Sequence, residues 1–203
     1  VDLTIPRDQL VVFTGVSGSG KSYLLEKAIA QLPAQNARCI IFDTSGEFSR
    51  SSRNNSPPER PLDQLEIINM ENTNAQSLFF KPLTPEDTVE KIINRFVDVL
   101  NRKNHFGRNQ KAALANCLQF GFQQNQLTNF NDLLQAAKIS PTGTAVEEVI
   151  KNLNTILPYG ETPFAWNLDI PGITVLDFHH GHDDASLKTV IELLLSTICA
   201  ARM

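Results

Sequence analysis

The segment GVSGSGKS, residues 15–22, constrains this chain more than any other. It fits G-x-x-x-x-G-K-[ST] at every fixed position. Before it runs LVVFT, residues 10–14, a short apolar stretch rich in β-branched residues that reads as a strand buried on both faces. After it comes YLLEKAIAQL, with helix-forming residues and an apolar stripe. Strand, glycine loop and helix therefore follow in the order the motif requires. Gly15, Gly18 and Gly20 let the backbone curl tightly and approach a phosphate without Cβ clashes. The exposed N–H groups and the helix N-terminus then offer positive potential to an anion. Lys21 is expected to reach the β- and γ-phosphates of ATP, and the Ser22 hydroxyl to hold Mg²⁺. The expected nucleotide contacts are Gly15, Val16, Ser17, Gly18, Ser19, Gly20, Lys21, Ser22 and Tyr23.

Hydrolysis of a bound triphosphate needs acids at the ends of neighbouring strands. Two apolar runs end in Asp: RCIIFD at Asp43 and ITVLDF at Asp177. Neither is followed directly by Glu, so the usual Asp-Glu pair is absent from the sequence. The first run continues instead as Asp43-Thr44-Ser45-Gly46-Glu47-Phe48. In parallel α/β sheets ligands gather at the carboxyl ends of strands. Asp43 and Glu47 are therefore candidates to orient a Mg²⁺-bound or attacking water, with Asp43 a candidate metal ligand. The plainer alternative is a strand-end acid followed by a turn around Gly46.

The remaining chain reads as alternating elements. LEIIN, 65–69, is a short strand, and residues 44–64, rich in Ser, Pro, Asn and Arg, form an exposed loop. Thr84-Pro85-Glu86-Asp87 reads as the start of a helix whose apolar face is Val89, Ile92, Ile93, Phe96, Val97 and Leu100. Further helices are expected at 108–125, over NDLLQAAK and at 144–157. A final helix, ASLKTVIELLLSTICAAR, turns Leu187, Val190, Ile191, Leu194, Leu195 and Ile198 inward. The order β-α-β, helices, β-α implies an α/β fold of RecA-like P-loop type, mainly a parallel sheet with helices on both faces. Residues 1–203 are read as one P-loop domain with a helical insertion at about 85–157.

Asp-x-x-Gly-Glu-aromatic, one helix after a phosphate loop, resembles the HerA/FtsK superfamily, where this strand typically ends in Asp-Pro-x-Gly-Glu-Tyr. Here Thr44 stands in place of Pro. LFFKPL, 78–83, is similar to the family's Asn-Pro segment, with Lys81 in place of Asn. GRNQKAALANCL, 107–118, resembles the start of its helical insertion, and the segment from Ile170 onward resembles the strand and long helix that precede its Walker B strand. The resemblance implies a ring-forming, hexameric ATP-driven motor that moves DNA or drives a secretion channel. It also implies that the Walker B strand and arginine finger lie beyond Met203, so that Asp177 is not the metal-supporting acid. Residues 1–22 also look like the first nucleotide-binding segment of UvrA, an ABC-type DNA-repair ATPase. The L-S-G-G-Q signature that completes an ABC site is absent from the sequence. A nucleotide-gated module that recognises a partner protein is a further alternative.

Net charge is −4, so no global basic field advertises nucleic acid, and DNA contacts would have to come from a local patch or from assembled subunits. NRKNHFGRNQK, 101–111, carries Arg102, Lys103, Arg108 and Lys111, and no acid occurs from Val99 to Asn131. That segment reads either as a DNA-facing patch or as a solvated helix end. His179, His180, His182, Asp183 and Asp184 are dense in ligand types, but their spacing reads better as a polar turn with Asp183 or Asp184 capping the next helix. Cys39, Cys117 and Cys199 lack C-x-x-C pairing, and no apolar run reaches membrane-spanning length, so a reducing cytoplasmic setting is expected. The chain opens without Met and stops inside an apparent helix, as expected of a domain from a longer protein.

Overall fold

The structure is a computed structural model that describes residues 21–48, 65–82, 84–124, 127–140, 142–164, 171–179 and 184–200. Two compact units emerge from the contacts. The first comprises Val1–Asn69 and Ala165–His179, and the second Met70–Phe164 and His180–Met203.

Among the described residues the first unit holds helix α1 (Lys21–Ala30) and three strands, β1 (Arg38–Asp43), β2 (Glu66–Asn69) and β5 (Gly172–Asp177). All pair in parallel, in the order β1-β5-β2. The sequence predicts the reason for β5's central place. ITVLD is apolar and β-branched, and from Ile173 to Asp177 every residue is buried, with Val175 and Leu176 fully so. Burial of each such side chain contributes about 1.5–3 kcal/mol. Ile29 and Ala30, at the end of α1, share a cluster with Ile173, Cys39, Ile41, Leu65 and Phe48. At the amino-terminal side of the sheet, Arg38 donates to Glu66 (2.9 Å) and to Thr174, and the Thr174 hydroxyl donates to Glu66 (2.7 Å). One side chain from each strand thus closes that edge. The strand expected at 10–14 lies outside the described residues, as do residues 49–64 of the expected loop.

The second unit is helical. It contains α2 (Val89–Asn104), α3 (Arg108–Gln123), α4 (Phe130–Ile139), α5 (Glu147–Ile156) and α6 (Asp184–Ala200). Two two-residue strands, β3 (Thr73–Asn74) and β4 (Thr162–Pro163), pair in parallel. α2 packs on α3 and α6, α4 on α3 and α5, and α5 on α6. At the core, Phe79, Phe80, Phe96 and Phe130 contact one another pairwise, with ring centroids 5.7–6.5 Å apart. Beside them lies Gln76, fully buried. Its amide donates to Asn154 Oδ1 (3.0 Å) and to the Leu157 carbonyl (2.5 Å), and its Oε1 accepts from the Phe130 amide (2.5 Å). One glutamine therefore satisfies the first amide of α4 and a carbonyl just past α5.

Two sequence expectations need correction here. α2 begins at Val89, not at Thr84-Pro85: Thr88 is the cap, its hydroxyl accepting from the Lys91 amide at 3.3 Å. Asp87 instead forms a buried two-bond pair with Arg95, at 3.2 and 3.1 Å. In α6, Leu195 is 44% exposed, whereas Leu193 is buried. The buried face of that helix takes in Thr189 and Thr197 beside Leu193, so the spacing of apolar residues alone does not mark it.

Candidate functional site

The site is built at the carboxyl edge of the parallel sheet. Registry places Asp43 of β1 beside Asp177 of β5, and Asp177 beside Asn69 of β2. Three polar residues thus end three adjacent apolar strands, where ligands of such sheets gather. The ladder runs one step further, with the Phe178 amide donating to the Asp43 carbonyl at 2.8 Å. The Phe42 and Phe178 rings lie nearly parallel, 9° between planes, with centroids 6.4 Å apart.

Beyond Asp43 the chain does not wander. Asp43 is 2% exposed, and its carboxylate gathers the amides of the next turn. Oδ1 accepts from the amides of Ser45 (3.1 Å), Gly46 (2.9 Å) and Glu47 (3.2 Å), and from the Ser45 hydroxyl (3.1 Å). Oδ2 accepts from the Phe48 amide at 2.8 Å. Four consecutive N–H groups converge on one buried carboxylate, which satisfies a charge that would otherwise be costly to bury. Gly46 makes the turn feasible with φ of 75°, a left-handed conformation that glycine adopts without penalty. The Phe48 side chain joins the cluster formed by Ile29, Cys39, Ile41 and Ile173, so the far end of the turn is anchored in the core. Glu47 is half-buried within this turn.

A second fixed group faces the turn. The Asp177 carboxylate accepts from the His179 amide (3.1 Å) and from His179 Nδ1 (2.5 Å). Acceptance by a carboxylate places the ring proton on Nδ1. The imidazole lies against Gly46: a methyl built there would stand 3.1 Å from His179 Cγ and 3.2 Å from Cδ2.

The structure brings Asp43 and Glu47 together in one turn and sets Asp177 next to Asp43. Gly15, Val16, Ser17, Gly18, Ser19 and Gly20 lie outside the described residues, as does the Lys21 side chain. Lys21 is the first residue of α1, and the first turn of that helix carries no acid. Ser22 and Tyr23 are exposed on it. An acid-free first turn with an exposed hydroxyl suits a phosphate and its magnesium. Asp43 suits direct metal ligation less well, since both its oxygens already hold amides of its own turn. Among the described residues no group of three His, Cys, Asp or Glu is placed to hold a metal. His180, His182 and Asp183 lie outside them, as does the Asp184 side chain.

Two further sequence candidates have definite places. Arg102 (2.8 Å) and Lys103 (3.1 Å) both pair with Glu192 of α6. Partial burial pushes the Glu192 carboxyl up, but the Lys103 and Arg102 hydrogen bonds outweigh it and hold it below its ordinary value. Arg108 and Lys111 are exposed at the start of α3. Burial raises the Cys39 thiol to about 11, as expected for an inert core thiol.

Two residues take roles that sequence reasoning does not give them. Phe48, there only the motif's aromatic, anchors the turn, and His179, there part of a polar turn, backs it. The first has a local signal, since Asp followed three residues later by Gly is a pattern for a side chain that collects turn amides. The second has none, because Gly46 and His179 are distant in sequence.

A family model described as Helicase HerA, central domain, matches residues 11–198. Comparison with curated proteins and with solved structures found no match. A match over nearly the whole chain, on a parallel sheet whose β1 ends in the Asp43–Glu47 turn, identifies the chain as a member of the HerA central-domain family, P-loop ATPases of HerA/FtsK type.

Proposed function

We propose that this chain is the nucleotide-binding core of a ring-forming, hexameric motor that uses ATP to translocate DNA, working in the cytoplasm, with a helical insertion at about 85–157. The observation that carries the reading is the Asp43 turn, which fixes Glu47 at the carboxyl edge of a parallel sheet in a P-loop ATPase family.

In this reading Gly15 to Gly20 wrap the phosphates with main-chain amides, Val16, Ser17 and Ser19 included. Lys21 balances the charge of the outer phosphates, and the Ser22 hydroxyl holds Mg²⁺. Tyr23 borders the nucleotide; its ring already lies under the Lys27 ammonium, 4.8 Å from the centroid. Magnesium, when bound, draws charge from the phosphate oxygens. Glu47 accepts a hydrogen bond from the attacking water and orients it. Asp43 acts through Glu47: by collecting the turn's amides it holds the glutamate backbone in place, a positioning role in preference to metal ligation. No helix among the described residues is long and apolar enough to cross a membrane.

Calorimetry and turnover on the full-length protein test the reading. Lys21→Ala should abolish tight ATP binding. Glu47→Gln should keep binding and lower turnover about 100-fold or more. ATP turnover should rise with DNA length, as expected of an enzyme that travels. Unchanged ATP affinity in Lys21→Ala rejects the phosphate-loop assignment, and turnover indifferent to DNA length rejects translocation.

A second reading, a nucleotide-gated module for a protein partner, has one observation in its favour. Arg102 and Lys103 are engaged with Glu192, which reduces the cationic character of the segment best suited to DNA. ATP-dependent capture of a protein without DNA-stimulated turnover would favour it.

A further inference from the structure

We infer that His179 is a positioning residue for the catalytic turn: tethered to Asp177, its ring forms the wall against which Gly46 rests, and so sets where Glu47 stands. The inference rests on the reading of Glu47 as the water-orienting carboxylate.

Three observations converge. First, the ring is not free to choose its rotamer. Asp177 Oδ1 accepts from both the amide and Nδ1 of His179, a closed local ring of two hydrogen bonds. Asp177 is itself 4% exposed and held in register between Asp43 and Asn69. Second, the contact with the turn is close. A methyl on Gly46 would meet His179 Cγ, Cδ2 and Cβ at 3.1, 3.2 and 3.3 Å, so the ring stands over Gly46 with no room for a side chain between them. Third, the contact falls on the residue whose conformation governs Glu47. Gly46 has φ of 75°, and Glu47 is next in the chain. A shift at Gly46 therefore swings the glutamate.

The Asp43 carboxylate pulls the turn inward through four amides, and the His179 ring limits how far it can move on the Gly46 side. Attraction alone leaves a turn free to rock about its hydrogen bonds. Attraction opposed by a wall leaves one position, and catalysis by an oriented water is sensitive to displacements of this kind. The Asp43 carbonyl, bonded to the Phe178 amide, ties both halves to the same pair of strands.

The test uses the full-length protein and four variants: His179→Ala, His179→Phe, Gly46→Ala and the double variant Gly46→Ala with His179→Ala. Amide hydrogen exchange over residues 44–48 is read together with kcat and KM for ATP. In His179→Ala, exchange of the Gly46 and Glu47 amides should rise at least tenfold. There kcat should fall at least tenfold with KM unchanged, a split that general destabilisation does not produce. His179→Phe keeps a planar ring at the site and should recover most of kcat. Gly46→Ala should perturb the turn less in the His179→Ala background than alone, because the ring it strikes has gone. Should His179→Ala fail to fold, His179→Phe and Gly46→Ala still decide the matter: a kcat near wild type in Gly46→Ala overturns the inference. Unchanged exchange in His179→Ala overturns it too, and so does raised exchange with unchanged kcat. Failure of the underlying reading looks different, because Glu47→Gln would then retain full turnover whatever the exchange data show.

Discussion

The Phe48 amide donates to Asp43 Oδ2 at 2.8 Å, so the chain returns to the tip of its own strand five residues after leaving it. The acid that ends β1 is thus the organiser of the segment that follows.

Asp43→Ala should leave the amides of Ser45, Gly46, Glu47 and Phe48 without their acceptor. The expected loss is about 2–3 kcal/mol of stability. Asp43→Asn keeps a carbonyl oxygen in the Oδ1 position and should lose less than half as much. Urea unfolding of both variants measures the difference.

Gln76→Leu replaces a fully buried hub with an apolar side chain of similar size. The Phe130 amide and the Leu157 carbonyl lose their partner. A loss of about 2–4 kcal/mol is expected, read as a lower urea midpoint at unchanged slope.

Glu192 supplies a pH-dependent contribution. Its carboxyl is held below the ordinary 4.5 by Lys103 and Arg102 in spite of partial burial. A lowered folded value means that the ionised form is favoured by folding. The contribution is therefore complete above the unfolded value and is lost as pH falls through the folded one. Arg102 is 59% exposed, so solvent screening limits the contribution to at most about 1 kcal/mol. Wild type and Glu192→Gln should differ in melting temperature at pH 7 and converge well below pH 4.5.

The thiols should separate cleanly under native alkylation at pH 8. Cys199 is exposed and should label first. Burial raises the Cys39 thiol to about 11, which leaves about one thiolate in a thousand at that pH. Cys117 is buried and its thiol is likewise raised by burial. Mass spectrometry of the labelled peptides gives the order, and rapid labelling of Cys39 would contradict its packing against Ile29 and Ile173.

Much of the sheet could be read from local pattern. RCIIFD is a strand over the residues expected, and ITVLD is the buried central one, because short apolar β-branched runs between polar segments have few other uses. Helices α3 to α5 follow from periodicity to within a turn. The start of α2 was misread because Thr-Pro-Glu-Asp has the chemistry of a cap, while the structure spends Asp87 on Arg95, eight residues away. Spacing of the apolar residues misplaces Leu195 because the buried face of α6 takes in Thr189 and Thr197 beside Leu193. Gln76 and the four-phenylalanine core left no local trace, since their partners stand up to eighty-one residues distant. At the candidate site, Asp43 and Glu47 were legible as residues, but the direction of the Asp43 carboxylate was not. A strand-end acid can face a ligand or its own turn, and pattern alone does not reveal the four amides that converge on this one.

Asp43 grips Glu47 by its main-chain amide rather than by its carboxylate. The hold of Asp43 on this position is therefore independent of the side chain's charge, and Glu47→Gln leaves that amide contact in place.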